Sequence, residues 1–128
     1  MLRSKAKLRD SVAVIVRQDF CNSSSAAVAK QLNISDRTMR RHLAMEGVSF
    51  QEILNDLRYE QAQLALMTTQ LSVNDIARQL GYSDASNFGH AFRQWSGMSP
   101  RQFRQQRRNT VSVNLAQPAL VGERMASL

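Results

Sequence analysis

Apolar residues recur along the chain at helical spacing. Small polar residues stand where helices would start, and Asn or Gly where they would end. Leu8, Val12, Ile15, Val16 and Phe20 mark an amphipathic opening helix. Ser24 is placed to cap a second helix, with Ala27, Val28 and Leu32 on one face. Asn33 tolerates the left-handed conformation that ends such a helix, and Ile34 can pack inward across the turn. Ser35 then caps a third helix, whose Met39 and Leu43 lie one turn apart and whose end is marked by Gly47. Ser49 and Glu52 form a capping box that opens a long helix with Phe50, Ile53, Leu54, Leu57, Ala62 and Ala65 at helical spacing. Run from Phe50 to Met67, it would be about 27 Å long. Ser72 caps the next helix, with Asp75 at its positive end and Ile76, Ala77 and Leu80 as its apolar stripe. Gly81 turns the chain, and Asp84 or Ser83 caps a helix with Phe88, Phe92 and Trp95 facing in, ended by Gly97. Ser99, Pro100 and Gln102 start a short last helix. After Arg108 the periodicity is lost, which predicts a mobile or weakly docked tail.

The pattern repeats. Val28-Ala29-Lys30-Gln31-Leu32-Asn33-Ile34-Ser35-Asp36 aligns with Ile76-Ala77-Arg78-Gln79-Leu80-Gly81-Tyr82-Ser83-Asp84 at an offset of 48, with five of nine positions identical. Met39 and Leu43 map to Phe88 and Phe92 at 49, and Gly47 and Ser49 map to Gly97 and Ser99 at 50. Two copies are too few for a solenoid, so the chain reads as a duplicated helix–tight turn–helix unit. Ala29 and Ala77, at the centre of each first helix, let the two helices of a unit cross closely.

Composition adds a sign to this frame. Lys and Arg number 17 against 10 Asp and Glu, a formal net charge of +7, and all but Lys5, Lys7 and Lys30 of the basic residues are Arg. The excess is patchy. Arg3, Lys5, Lys7 and Arg9 crowd the N-terminal arm, and Arg101, Arg104, Arg107 and Arg108 the segment from Pro100 to Arg108. The long helix is net acidic, with Glu52, Asp56 and Glu60 against Arg58. One face toward an anionic polymer fits this distribution, as do solvated basic ends. No apolar run approaches a membrane span, and Cys21 alone excludes an intramolecular disulfide framework. With His42 and His90 it makes no plausible zinc site, so neither a metal nor a cofactor is expected. The chain therefore reads as soluble, cytosolic and basic. No phosphate-binding glycine loop, carboxylate pair or Cys/His arrangement supports an enzyme. The frequent methionines Met39, Met45 and Met67 fall at spacings expected for core or edge packing.

With Met39 and Leu43 inward, Arg37, Thr38, Arg40, Arg41 and Ala44 face out. Three arginines within five positions repel one another unless an anion is near, and guanidinium suits bidentate contact with guanine or phosphate. The plainer reading is a solvated face with an Asp36–Arg40 pair. In the second unit the outward set is Ala85, Ser86, Asn87, Gly89, His90 and Arg93. Asn reads adenine bidentately, and small residues permit close approach to bases.

The run Ile76-Ala77 through Gly81-Tyr82-Ser83-Asp84, Ser86, Phe88, Phe92-Arg93, Gly97, Ser99-Pro100 and Phe103-Arg104 resembles the signature of AraC/XylS-type transcriptional regulators. Ser35, Arg37-Thr38-Met39, Arg41, Leu43, Gly47, Ser49-Phe50, Arg58 and Ala62 resemble that family's first unit and linker helix. The likeness covers Ser24 to Arg104; the stretch from Ser35 to Gly47 is one residue shorter than is common there. It implies an all-α fold of about seven helices, with two helix-turn-helix units joined by a long linker helix. The divisions expected are 1–23 for an arm and amphipathic helix, 24–48 for the first unit and 49–70 for the linker. They continue with 71–109 for the second unit and closing helix, and 110–128 for the tail.

The resemblance further implies double-stranded DNA as partner, with RNA polymerase as a further one and no membrane, in the bacterial cytoplasm. Base reading would fall on Arg37, Arg40 and Arg41, flanked by Thr38, and on Ala85, Ser86, Asn87, Gly89 and His90, with Arg93 and Arg104 nearer phosphates or structural pairs. One monomer would read two half-sites. Only about 23 residues precede the first unit, so the chain is expected to be a stand-alone regulator or a fragment of a larger one. A fragment acting as a protein–protein interaction module, without reading DNA, is the alternative.

Overall fold

A computed structural model describes residues 7–107 of the chain. The basic residues Arg3, Lys5 and Arg108 and the aperiodic segment 110–128 lie outside the described residues. Helix α1 spans Leu8–Gln18 and is followed by a 3-10 turn at Phe20–Asn22; α2 is Ser25–Gln31 and α3 Asp36–Met45. The long α4 is Phe50–Thr68, α5 is Val73–Gln79, α6 Ala85–Ser96, and α7 covers residues 100–107. No strand occurs among the described residues, so the fold is all-α.

The starts are made as the small polar residues dictate. Ser24, Ser35 and Ser72 each accept the amide three residues on, from Ala27, Thr38 and Asp75. Ser49 and Glu52 form a complete capping box, and Ser99 and Gln102 exchange the same two bonds at α7. Asp84, rather than Ser83, caps α6. That choice explains the drift of the repeat: the turn of the second unit is one residue longer, and the register moves from 48 to 49.

Two cores hang on one rod. The first half of α4 gives Phe50, Ile53, Leu54 and Leu57 to a cluster with Val12, Val16, Val28, Ala29, Met39 and Leu43. Its second half gives Ala62, Ala65 and Leu66 to a cluster with Ile76, Ala77, Leu80, Phe88, Phe92 and Phe103. The two turns are near-copies. The Ile34 amide donates to the Ala29 carbonyl at 3.1 Å, and Tyr82 to Ala77 at 3.0 Å. Asn33 and Gly81 occupy the left-handed region, at φ 60° and 90°.

Two expectations are corrected. Phe20 does not extend the opening helix. The chain becomes extended at Asp19, whose side chain accepts the Cys21 amide, and Phe20 sits in the 3-10 turn packed against both clusters. Of the methionines, Met39 is buried, but Met45 is 79% exposed and Met67 is exposed as well. Met45 follows Leu43 by two residues, about 200° around the helix axis, which carries it off the buried side.

Candidate nucleic-acid interface

Helix α3 buries Met39 and Leu43 and leaves Arg37, Arg40, Arg41 and Ala44 exposed, with Thr38 half-buried. At about 100° per residue, Arg37 and Arg41 lie near the middle of the exposed side and Arg40 and Thr38 on its two flanks. The Thr38 hydroxyl is fixed by the Ser35 hydroxyl at 2.9 Å. Arg40 is engaged within the protein. Its Nε donates to Asp36 at 3.0 Å and an Nη to the Ser25 hydroxyl at 2.7 Å. Among the described residues, Arg37 and Arg41 take part in no ion pair.

Helix α6 buries Phe88 and Phe92, with Trp95 partly buried beside them. Ser86, Asn87, His90 and Arg93 are exposed, while Ala85 and Gly89 are half-buried on the flank. Asn87 is tied at both ends: its amide donates to the Asp84 cap at 2.9 Å and its side chain to Ser83 at 3.3 Å. A Cβ on Gly89 would meet nothing within 4 Å, so no packing inside the protein requires glycine there. Gln94, exposed one turn after His90, belongs to the same face. No motif position singles it out in the sequence.

Other charges serve the fold. Arg104 Nε donates to the Leu66 carbonyl at 3.1 Å and an Nη to that of Thr69 at 3.2 Å, holding the end of α4. Arg58 donates to the Leu80 carbonyl at 3.0 Å and lies 4.4 Å over the Tyr82 ring. Burial pushes the Tyr82 phenol up in pKa against the opposing pull of Arg58, so the ring beneath the cation stays neutral. On the acidic linker, Glu60 pairs with Arg17 of α1 at 3.0 Å. The carboxylate of Glu46, at the end of α3, accepts the amides of Leu8 and Arg9 at 2.8 and 3.0 Å and so caps α1. Burial raises its pKa, but those two amides and the charges of Arg9 and Lys7 outweigh that and hold it below the ordinary 4.5.

The helix-turn-helix domain family matches residues 28–106. The chain is 44% identical over 87 residues to the ornithine utilization regulator of Pseudomonas aeruginosa, covering 68% of this chain and 25% of that protein. It thus spans about a quarter of that relative's length. The structure is similar to that of the transcriptional regulator CdpR from Pseudomonas aeruginosa, at TM-score 0.69 and 39% identity, over 77% of this chain and 31% of that one. It also shares its fold with the DNA-binding domain of the global transcriptional factor AdpA in complex with a target DNA, at TM-score 0.65 and 22% identity, over 88% and 98% of the two chains.

Proposed function

This chain belongs to the AraC-type helix-turn-helix family, and on that premise we propose that it is a sequence-specific DNA-binding transcriptional regulator. It lays α3 and α6 into successive major-groove segments of double-stranded DNA. The observation that carries the reading is the pair Arg37 and Arg41, one turn apart on the exposed side of α3 with no ion-pair partner among the described residues. Two such guanidinium groups repel unless an anion lies across them, and a duplex supplies both phosphates and guanine edges.

In the first half-site Arg37 and Arg41 read bases, with Thr38 at the flank. In the second, Ser86, Asn87 and His90 form the reading face, Ala85 and Gly89 allow the backbone close approach, and Arg93 meets phosphate. Helix α4 spaces the two. Its 19 residues make a rod of about 28 Å, close to the ~34 Å rise of one DNA turn once the flanking turns are added. One monomer can then engage both half-sites.

Selection from random DNA tests the reading. The expected result is a site of about two helical turns whose affinity falls steeply with salt. Arg41→Ala should remove base preferences in one half and Asn87→Ala or His90→Ala in the other. If all three leave the selected motif and its affinity intact, the assigned faces are wrong. Absence of salt-sensitive DNA binding would instead favour an interaction module.

A further inference from the structure

We propose that Arg40 is a positioning residue, which clamps α3 to α2 and leaves base reading in the first half-site to Arg37 and Arg41. The inference rests on the DNA-binding reading above. Three side chains close a triangle across the two helices. Arg40 donates to Asp36 and to Ser25, and the Ser25 hydroxyl donates to the other Asp36 oxygen at 3.1 Å. Asp36 is the first residue of α3 and Ser25 the first of α2, so the triangle fixes the start of the exposed helix against its neighbour.

The geometry disfavours Arg40 as a reader. Guanidinium reads guanine with two parallel N–H groups on one edge. Here the edge formed by Nε and one Nη is already engaged, two of the five N–H groups. Swinging Arg40 into a groove would break both bonds and leave the Asp36 carboxylate uncompensated beside the phosphates. Arg40 also sits about 100° around the axis from Arg41, on the flank that faces α2.

The second unit shows what the triangle is for. At the matching helical positions it has Val73, Ala85 and Gly89 in place of Ser25, Asp36 and Arg40, so it has no such brace. Its helix is instead seated by aromatic rings. Tyr82 and Phe88 are 5.5 Å apart between ring centroids, Phe88 and Phe92 5.8 Å, and Phe92 and Phe103 5.2 Å. Rings of this kind fix orientation as well as burying area. The first unit has only Met39 and Leu43 at the equivalent inward positions, with a flexible thioether where the other has a ring. The polar triangle supplies the orientation that the aliphatic contact lacks. An isolated exposed ion pair is weak; three groups sharing one ordering cost are worth more together.

The test uses the full chain, its selected site, and the same site with one half scrambled, that half being the one whose base preferences Arg41→Ala removes. Arg40→Ala is expected to weaken binding to the intact site by about threefold to tenfold, the range of a modest polar network. The loss should vanish on the half-scrambled DNA, and all base preferences of that half should shrink together. The slope of log affinity against log salt should not change. Ser25→Ala, which leaves every charge in place, should give the same pattern at smaller size, and it covers the case in which Arg40→Ala fails to fold.

Four results would overturn the proposal. Arg40→Ala could flatten single base pairs, which makes Arg40 a reader. The salt slope could fall by about 0.9, the mark of a lost phosphate contact. The loss could persist on half-scrambled DNA, which indicates a defect of the whole fold, or there could be no loss. In each of these the wild-type chain still binds its site, so the DNA-binding reading stands; it falls only if the wild type shows no salt-sensitive binding.

Discussion

Asn33 and Gly81 occupy the same place in the two repeats and both take a left-handed backbone, yet only one has to be glycine. A Cβ on Gly81 would lie 2.8 Å from the Phe20 carbonyl oxygen and 3.2 Å from the Arg58 guanidinium. Asn33 already carries a side chain at φ 60°, and Asn accepts that region at small cost. Gly81→Ala is therefore expected to destabilise the fold by about 2–3 kcal/mol, combining left-handed strain with a backbone clash. Asn33→Gly should stay within about 1 kcal/mol of wild type. Chemical denaturation of the two variants checks the contrast, and equal effects would mean that the contact with Phe20 is not decisive. The alignment shows that both positions turn the chain. It does not show the carbonyl of Phe20, in the distant 3-10 turn, that makes the second turn intolerant.

At the scale of elements, most helix starts are local events and are legible as such. Ser24, Ser35, Ser49, Ser72 and Ser99 bond amides three residues away, a distance that a sequence window contains. Helix α1 is the exception. Lys7 precedes it without a capping side chain, and Glu46 from the end of α3 supplies the acceptor instead. Because the folded pKa of Glu46 lies below its ordinary value, the charged cap stabilises the fold at neutral pH. That contribution fades as pH falls below about 4.5 through the folded value. Glu46→Gln should thus lower stability at pH 7, with the gap to wild type narrowing under acid. A gap that stays constant from pH 7 to pH 3 would show that the carboxylate charge contributes nothing. The cap also joins the start of α1 to the end of α3.

For the whole molecule, the question is what fixes one unit against the other. Helix α4 runs through both cores, and a second tie lies beside it. Phe20 packs against both clusters, the Cys21 thiol donates to the Arg78 carbonyl at 3.3 Å, and Arg58 holds the Leu80 carbonyl. Around this junction lies a polar cleft of about 380 Å³, bordered by Ser23, Ser24, Arg40, Gln51, Arg58 and Gly81. On the proposed DNA-binding reading, two faces joined rigidly gain from each other only when their half-sites keep the right spacing. Phe20→Ala should cost about 2–4 kcal/mol of stability, as for other large-to-small changes in a core. It should also blunt the penalty for inserting half a helical turn between the half-sites. Affinities for spaced DNA pairs measure this, and an unchanged penalty would assign the rigidity to α4 alone.

The sequence by itself determined the succession of helices, the serine caps, the duplication and the identity of the outward faces. Each depends on residues within a turn or two of one another, or on a period that a linear pattern records. The buried Phe50, Ile53, Leu54, Leu57, Ala62 and Ala65 of α4 and the exposed Arg37, Arg41, Ser86, Asn87 and His90 follow from it; the division into two cores, and Leu66 within the second, do not. Only the tertiary structure decided which charges were already spoken for. Helical spacing offers Asp36 to Arg40 and sets Arg40 on the flank, but the bond to Ser25 of another helix, which closes the triangle, appears only in the folded chain. Arg104 stands between phosphate and structural pairing, and Arg58 is one cation on an acidic helix, until they are found holding carbonyls at the ends of α4 and α5. Glu46 and Phe20 acquire their roles from partners dozens of residues away. The physical reason is common to all of these. Helical periodicity and capping act over a few residues, whereas the pairing of a charge or the seating of a ring depends on which other helix packs against it.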